Sequence, residues 1–299
     1  MGDLTLVDVP HRGFDDDQRD DAERVRAVRP RRRAGVGTWI LRIVVTVYLF
    51  LLVAWPVSLI VQRTFAEGLV ELRGILDDPD VVHALRLSVT VAVIAVVINT
   101  VFGVGMSILL VRYEFPGRRL LSAFVDLPLA VSPIVVGLSL VLVYGGRDGW
   151  FGPGLESAGF QVIYATPGIV LATVFVALPL VIREVVPVLE EIGIDQERAA
   201  HTLGASAWQT FRRITLPAIK WAIVYGVVLS LARSLGEFGA VKVVSGNLLG
   251  DTRTATLVVE EKYLNFDKGG AYATAFLLAL VSVACIVVVA IIRPKDDTP

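Results

Sequence analysis

The sequence predicts an all-α membrane protein with six transmembrane helices. Hydrophobic residues make up 55% of its 299 residues, and mean hydropathy is +0.67. Charged residues make up 19% and fall between apolar stretches, the profile of a polytopic membrane chain and not of a soluble enzyme. Six stretches, near 40–62, 87–111, 120–144, 162–182, 218–240 and 271–292, are long enough to cross about 30 Å of hydrocarbon.

Residues 1–37 mix an acidic cluster at Asp15 to Asp17 with arginines at 29 and 31 to 33 and hold few apolar residues. They read as a disordered cytosolic tail ending in a membrane-adjacent basic patch. The apolar run that follows is too long for a signal peptide and has no small-x-small cleavage site. One membrane domain is expected over 38–295.

A charge at mid-bilayer costs about 2.5–3.5 kcal/mol on insertion scales, so each charge within a span needs a reason. Arg42, near the start of span one, can snorkel to the interface. Asp126 in span three is expected to cap a helix end broken by Pro128 and Pro133, or to pair with Arg118 or Arg119. In the same span, Pro133 removes a backbone donor and Gly137 a side chain, which predicts a kinked, closely packed segment over 130–137. Span four, with Pro167 and Pro179, is the shortest and has the least defined ends.

In span five Arg233 and Glu237 stand four residues apart and share a helical face. Either they neutralise each other, or Arg233 faces a cavity and draws in an anion with help from Ser230 and Ser234. Gly236 and Gly239 permit close approach or bending there. Cys285 in span six is the single cysteine, which excludes an intrachain disulfide and a thiolate metal site.

Between spans four and five lies a charged segment, DQERAAHTLGASAWQTFRRITLP, residues 195–217. Asp195 is an expected N-cap, Glu197 to Leu203 are good helix formers, and Gly204 suits a left-handed C-terminal cap. Ser206 with Gln209 spells a capping box for a second short helix, which Pro217 is expected to stop. Trp208 and Phe211 share a face of that helix. They serve either as interfacial aromatics or as a docking knob. With the N-terminus inside, 18 of the 28 Lys and Arg residues fall on cytosolic segments and 8 on external ones. That bias places both termini and the hairpin in the cytosol.

No catalytic constellation is present. The three histidines, His11, His83 and His201, lie outside the spans, and none is spaced with another His or Cys as a metal ligand. No GxxxxGK[ST] motif occurs, so an ATP-driven step needs a separate subunit.

The 195–217 hairpin resembles the EAA loop of ABC importer permeases, whose pattern is Glu-Ala-Ala, three residues, Gly, nine residues, Ile-x-Leu-Pro. Ala199, Ala200, Gly204, Ile214, Leu216 and Pro217 fall on that spacing, while Arg198 stands where the pattern has Glu, with Glu197 just before it. LVIREVVPVLEEIG (180–193) and GEFGAVKVVSGNLLGDTRTATLVVEEKYLNFD (236–267) are similar to the W-type permease subunit of bacterial sulfate/thiosulfate importers. The resemblance runs from roughly residue 40 to 292.

It implies a type I ABC importer permease fold in a bacterial cytoplasmic membrane. The implied partners are a second, T-type permease subunit, two copies of a cytosolic ATPase that binds ATP and magnesium, and an extracytoplasmic sulfate-binding protein. Residues 197 to 200, with Gly204, Trp208, Phe211, Ile214, Leu216 and Pro217, would couple to the ATPase. Ser132, Pro133, Val136 and Gly137 would form the gate, with Ser230, Arg233, Ser234 and Glu237 along the path. Molybdate or tungstate permeases are the nearest alternative. A secondary anion transporter would need its own coupling-ion carboxylates, for which only Asp126 and Glu237 offer themselves.

Overall fold

The computed structural model describes residues 36–66 and 69–291, and all regular structure among them is helical. The expected tail lies outside the described residues except for its last two positions. So do position 292 of the sixth expected span and Arg293 and Lys295 of the charge count.

Helix α1 (Gly37–Thr64) has a mean hydropathy of 2.5 over its most apolar window and includes one π-helical turn, Phe50–Ala54. Its Arg42 guanidinium lies 5.6 Å from the centre of the Trp39 ring, a cation–π contact that lessens the cost of the charge.

Helix α2 (Val70–Asp77) leads into α3 (Pro79–Arg112). The second span therefore starts well before residue 87. The Asp78 carboxylate accepts the Asp80 N–H at 3.0 Å, and Pro79 occupies a first-turn position where its missing donor is harmless.

The third span is broken and not merely kinked: α4 (Arg118–Ala130) and α5 (Pro133–Tyr144) are bent by 113°. Val131 and Ser132 between them are extended, with ψ of 137° and 134°. Ring crowding from Pro133 keeps the residue before it out of the α region, so the helix stops and restarts.

After the short α6 (Gly152–Ser157), α7 (Thr166–Ile192) runs through both Pro179 and Pro187. The fourth span is thus long, and Arg183 lies within it. Next come α8 (Asp195–Thr202) and α9 (Ala207–Leu235), then α10 (Gly239–Val244), α11 (Ala255–Leu264) and α12 (Lys268–Ile291). The fifth span ends at Leu235, before residue 240, and the GEFGAVKVV stretch turns back as α10.

Helices α3, α7 and α9 pack at the centre. Between apolar helices in a membrane, close packing replaces the hydrophobic effect as the adhesive, and small residues set the spacing. A Cβ on Gly103 would stand 2.9 Å from Val181 Cβ, and one on Gly226 would stand 2.8 Å from Val181 Cα. One residue of α7 is therefore gripped from two sides. Toward the hairpin, Val181, Val185 and Leu189 continue the seam against Ile219 and Ala222.

Candidate functional site

At one end of the bundle the hairpin is built from local caps. Helix α8 is preceded by Ile194, which makes no side-chain cap, so Asp195 is its first residue and not its N-cap. There Asp195 and Glu197 still favour the positive end of the helix dipole. The helix closes with Gly204 at φ +86° and the Ala205 N–H on the Ala200 carbonyl at 3.0 Å, a Schellman-type ending. The capping box forms: Ser206 Oγ accepts the Gln209 N–H at 3.3 Å, and Gln209 Oε1 accepts the Ser206 N–H at 2.9 Å.

Pro217 does not stop the second helix. Helix α9 runs unbroken from Ala207 to Leu235, with residues Phe211–Thr215 as a π turn in which the Leu216 N–H reaches the Phe211 carbonyl. In a regular α-turn the Pro217 ring would press on the carbonyl four residues back. The wider turn just before it fits the ring without breaking the helix. Hairpin and span are one rod.

Glu197 ties that rod to its neighbours. Arg112 Nε lies 3.0 Å from Glu197 Oε2, and Arg112 Nη2 donates to Oε1 at 3.2 Å. Thr215 Oγ1 donates to the same Oε1 at 2.8 Å, and Arg112 Nη1 donates to the Leu189 carbonyl at 3.0 Å. One ion pair, made of a hydrogen bond and a second close charge contact between side chains only 10% and 18% exposed, thereby joins α3, α7, α8 and the π turn of α9. Arg112 also sits in the last turn of α3, where a cation is favoured. Arg198, by contrast, is exposed, as are Ala199 and Pro217, while Ala200, Ile214 and Leu216 are half-buried.

Trp208 is 65% exposed and its ring lies 5.6 Å from that of half-buried Phe211. Leu203, in the turn between α8 and α9, is 88% exposed. The hairpin thus presents large apolar side chains to its surroundings.

Toward the other end, the candidate gate and the GEFGAVK segment form one packed unit. A Cβ on Gly137 of α5 would meet the Ala240 carbonyl oxygen and Val243 Cβ at 2.8 Å each, and one on Gly239 would lie 3.1 Å from Pro133 Cβ. Val136 is buried with Ala240, Val241 and Val244 against Ile169 and Val176 of α7. Ser132 is exposed at the break, and Pro133 is half-buried.

Arg233 Nη1 lies 2.8 Å from Glu237 Oε2. Glu237 Oε1 accepts the Ala240 N–H at 2.9 Å, at the start of α10, and the Glu237 carbonyl accepts Thr256 Oγ1 at 3.0 Å. Glu237 is buried, its side chain 2% exposed, whereas the Arg233 side chain is 38% exposed. The sequence left open an internal pair or a cavity-facing cation, and this geometry is compatible with both.

Ser230 and Ser234 do not join Arg233 on an open surface. Both are buried, with hydroxyls that find no hydrogen-bond partner among the described residues. They lie on the buried stripe of α9 that includes Gly226, where small side chains admit close packing. Asp126 pairs with Arg183 at 2.9 Å and not with Arg118 or Arg119. The bend turns α4 onto α7, which carries Arg183. A cavity of about 220 Å³ adjoins the pair, with Arg118 and Glu190 in its lining.

Comparison with known proteins is consistent with this geometry. Residues 99–295 match the family model described as the binding-protein-dependent transport system inner membrane component. The sulfate transport system permease protein CysW of Synechococcus elongatus is 47% identical over 83% of this chain and 86% of its own length. Its Escherichia coli K12 namesake is 45% identical over 76% and 78%, and the CysT permease protein of that strain is 37% identical over 86% and 90%. A solved bacterial ABC transporter involved in the import of the acidic polysaccharide alginate superposes with a TM-score of 0.73 at 15% identity, over 87% of this chain and 96% of that one. This last match shows the fold.

Proposed function

This chain belongs to the inner-membrane components of binding-protein-dependent transport systems, and from that premise we propose that it is a permease subunit of an ATP-driven sulfate and thiosulfate importer. The observation that carries the reading is the unbroken path from the capped hairpin, through Glu197 and the π turn, along α9 to Arg233 and α10. A dianion cannot cross hydrocarbon unaided and needs a protein-lined, water-accessible route. Arg233 supplies a half-exposed cation beside the packed α5–α10 unit.

The second permease is a related chain, a role that the similarity to CysT proteins supports. Two copies of a cytosolic ATPase hold the ATP and magnesium and seat on the Leu203–Trp208 knobs. An extracytoplasmic binding protein delivers the anion. Both termini lie in the cytosol, a placement that the Lys and Arg bias supports. Closure of the ATPase pair drives the hairpins together and opens the spans outward, and hydrolysis reverses it.

The test is uptake of labelled sulfate, thiosulfate and molybdate by the reconstituted complex. Sulfate and thiosulfate should accumulate only with ATP. Molybdate uptake without sulfate uptake would place the chain among molybdate and tungstate permeases, and uptake without an ATPase would make it a secondary transporter. Arg233→Ala should lower sulfate transport at least about tenfold, since losing one partner of a close charge contact costs roughly 2–5 kcal/mol, with the complex still assembled. Unchanged uptake would leave Arg233 a structural role alone. Trp208→Ala with Phe211→Ala should cost roughly 2 kcal/mol or more of ATPase binding, about thirtyfold. Co-purification at wild-type yield would remove the knob from the interface.

A further inference from the structure

We propose that Glu237 is a charge filter: an internal monoanion seated on Arg233 that a dianion displaces and a monoanion does not. The inference rests on the reading of Arg233 as the cation that meets the transported anion.

Three observations carry it. First, the pair is asymmetric in exposure, since the Glu237 side chain is 2% exposed and that of Arg233 38%. The carboxylate is fixed inside the protein, while the guanidinium reaches a surface with donors to spare.

Second, the two carboxylate oxygens have different duties. Oε1 is held by the Ala240 N–H at 2.9 Å. Oε2 lies 2.8 Å from Arg233 Nη1, but without the alignment of a hydrogen bond, and has no other partner among the described residues. The contact with Arg233 is close but poorly aligned, so an incoming anion has no well-directed bond to break there. Third, Thr256 donates to the Glu237 backbone carbonyl at 3.0 Å and anchors the main chain there, so with Oε1 held by the Ala240 N–H the carboxylate has less freedom to move than the guanidinium.

Attraction to a fixed cation scales with the charge of the anion. A monoanion arriving at Arg233 meets a site already compensated by one buried negative charge and gains little. A dianion is repelled about twice as strongly by Glu237, but it also attracts the guanidinium about twice as strongly as that carboxylate does, and so draws the movable guanidinium off its fixed partner. The residual repulsion from Glu237 then keeps the anion loosely held, and transport needs release as much as capture. The same carboxylate therefore selects and ejects.

The test is equilibrium binding of labelled sulfate to the purified full complex without its binding protein, with nitrate as the competing monoanion. Glu237→Gln keeps the size of the side chain and an oxygen for the Ala240 N–H, while removing the charge. It should tighten sulfate binding by about tenfold or more, in line with couplings measured for close charge pairs, and turn nitrate into an effective competitor. Glu237→Asp keeps the charge, so nitrate should remain excluded as in the wild type. Sulfate binding to Glu237→Gln that is unchanged, weaker or undetectable overturns the filter. So does nitrate competition that appears equally in Glu237→Asp, because the effect would then come from a loosened α10. If Arg233→Ala binds sulfate like the wild type, the assignment of Arg233 itself fails, which separates the two readings.

Discussion

A complex carrying Glu197→Ala is expected to retain ATP hydrolysis while importing little sulfate. The substitution removes the acceptor for Arg112 and Thr215 together and leaves a guanidinium that is only 10% exposed without its counter-charge. Losing one partner of a buried pair typically costs roughly 3–5 kcal/mol, of which the other partner's stranded charge is a large part. The pair here retains some exposure, so the lower half of that range applies. The loss should fall on the hairpin, because α8 has few other anchors.

Arg112→Ala should show nearly the same defect, and the double variant should be hardly worse than either single one. Such non-additivity is the signature of a shared contact. Arg198→Glu, at an exposed position, should change transport little. Sulfate import within twofold of wild type in Glu197→Ala would show that the brace is dispensable. Severe loss in Arg198→Glu would mean that this arginine, and not Glu197, makes the decisive contact.

The second large effect is expected from Gly137→Ala, one added methyl group. That Cβ would stand 2.8 Å from both the Ala240 carbonyl oxygen and Val243 Cβ. A carbonyl fixed in a helix cannot swing aside as a long side chain can. The helices must separate, and overpacking of this kind costs about 1–3 kcal/mol. Since Glu237 holds the Ala240 N–H in the first turn of α10, the displacement reaches the Arg233 pair as well. A lower melting temperature with a disproportionate loss of sulfate transport is therefore expected. Gly105→Ala is the matched control, because nothing lies within 4 Å of its added carbon. In mid-helix that change should be neutral or slightly favourable. Equal behaviour of the two variants would mean that α5 and α10 do not need their close seat.

What the sequence made legible follows the range of each interaction. The capping box at Ser206 and Gln209 and the left-handed Gly204 are decided within a few residues, and they formed as expected. The partner of Glu197 was hidden because Arg112 lies 85 residues away. In the sequence Arg112 was only one more positive charge at a span end. The one available signal was an arginine in the last turn of an apolar helix with no carboxylate within reach on its own helix.

Asp126 misled for the same reason: nearby arginines suggested themselves, while Arg183 lies 57 residues on, in what read as a loop. Apolar content alone also carried the fifth span too far. GEFGAVKVV is apolar enough to continue a helix, but Gly236 and the capping Glu237 end one and start another. Pro217 was misread because proline is a stop signal only where the helix cannot widen, and a π turn has no recognised composition.

The grip on Val181 gives α9 the mechanics of a lever. The contact falls at Gly226, about 29 Å along the rod from Ala207 and about 14 Å from Leu235 at 1.5 Å per residue. If the rod swings rigidly about that contact, the far end would move roughly half as far as the hairpin and in the opposite direction. The long arm carries the hairpin and the short arm carries Arg233. Such a rod would be geared down, turning a wide swing at the hairpin into a small one beside the packed α5–α10 unit.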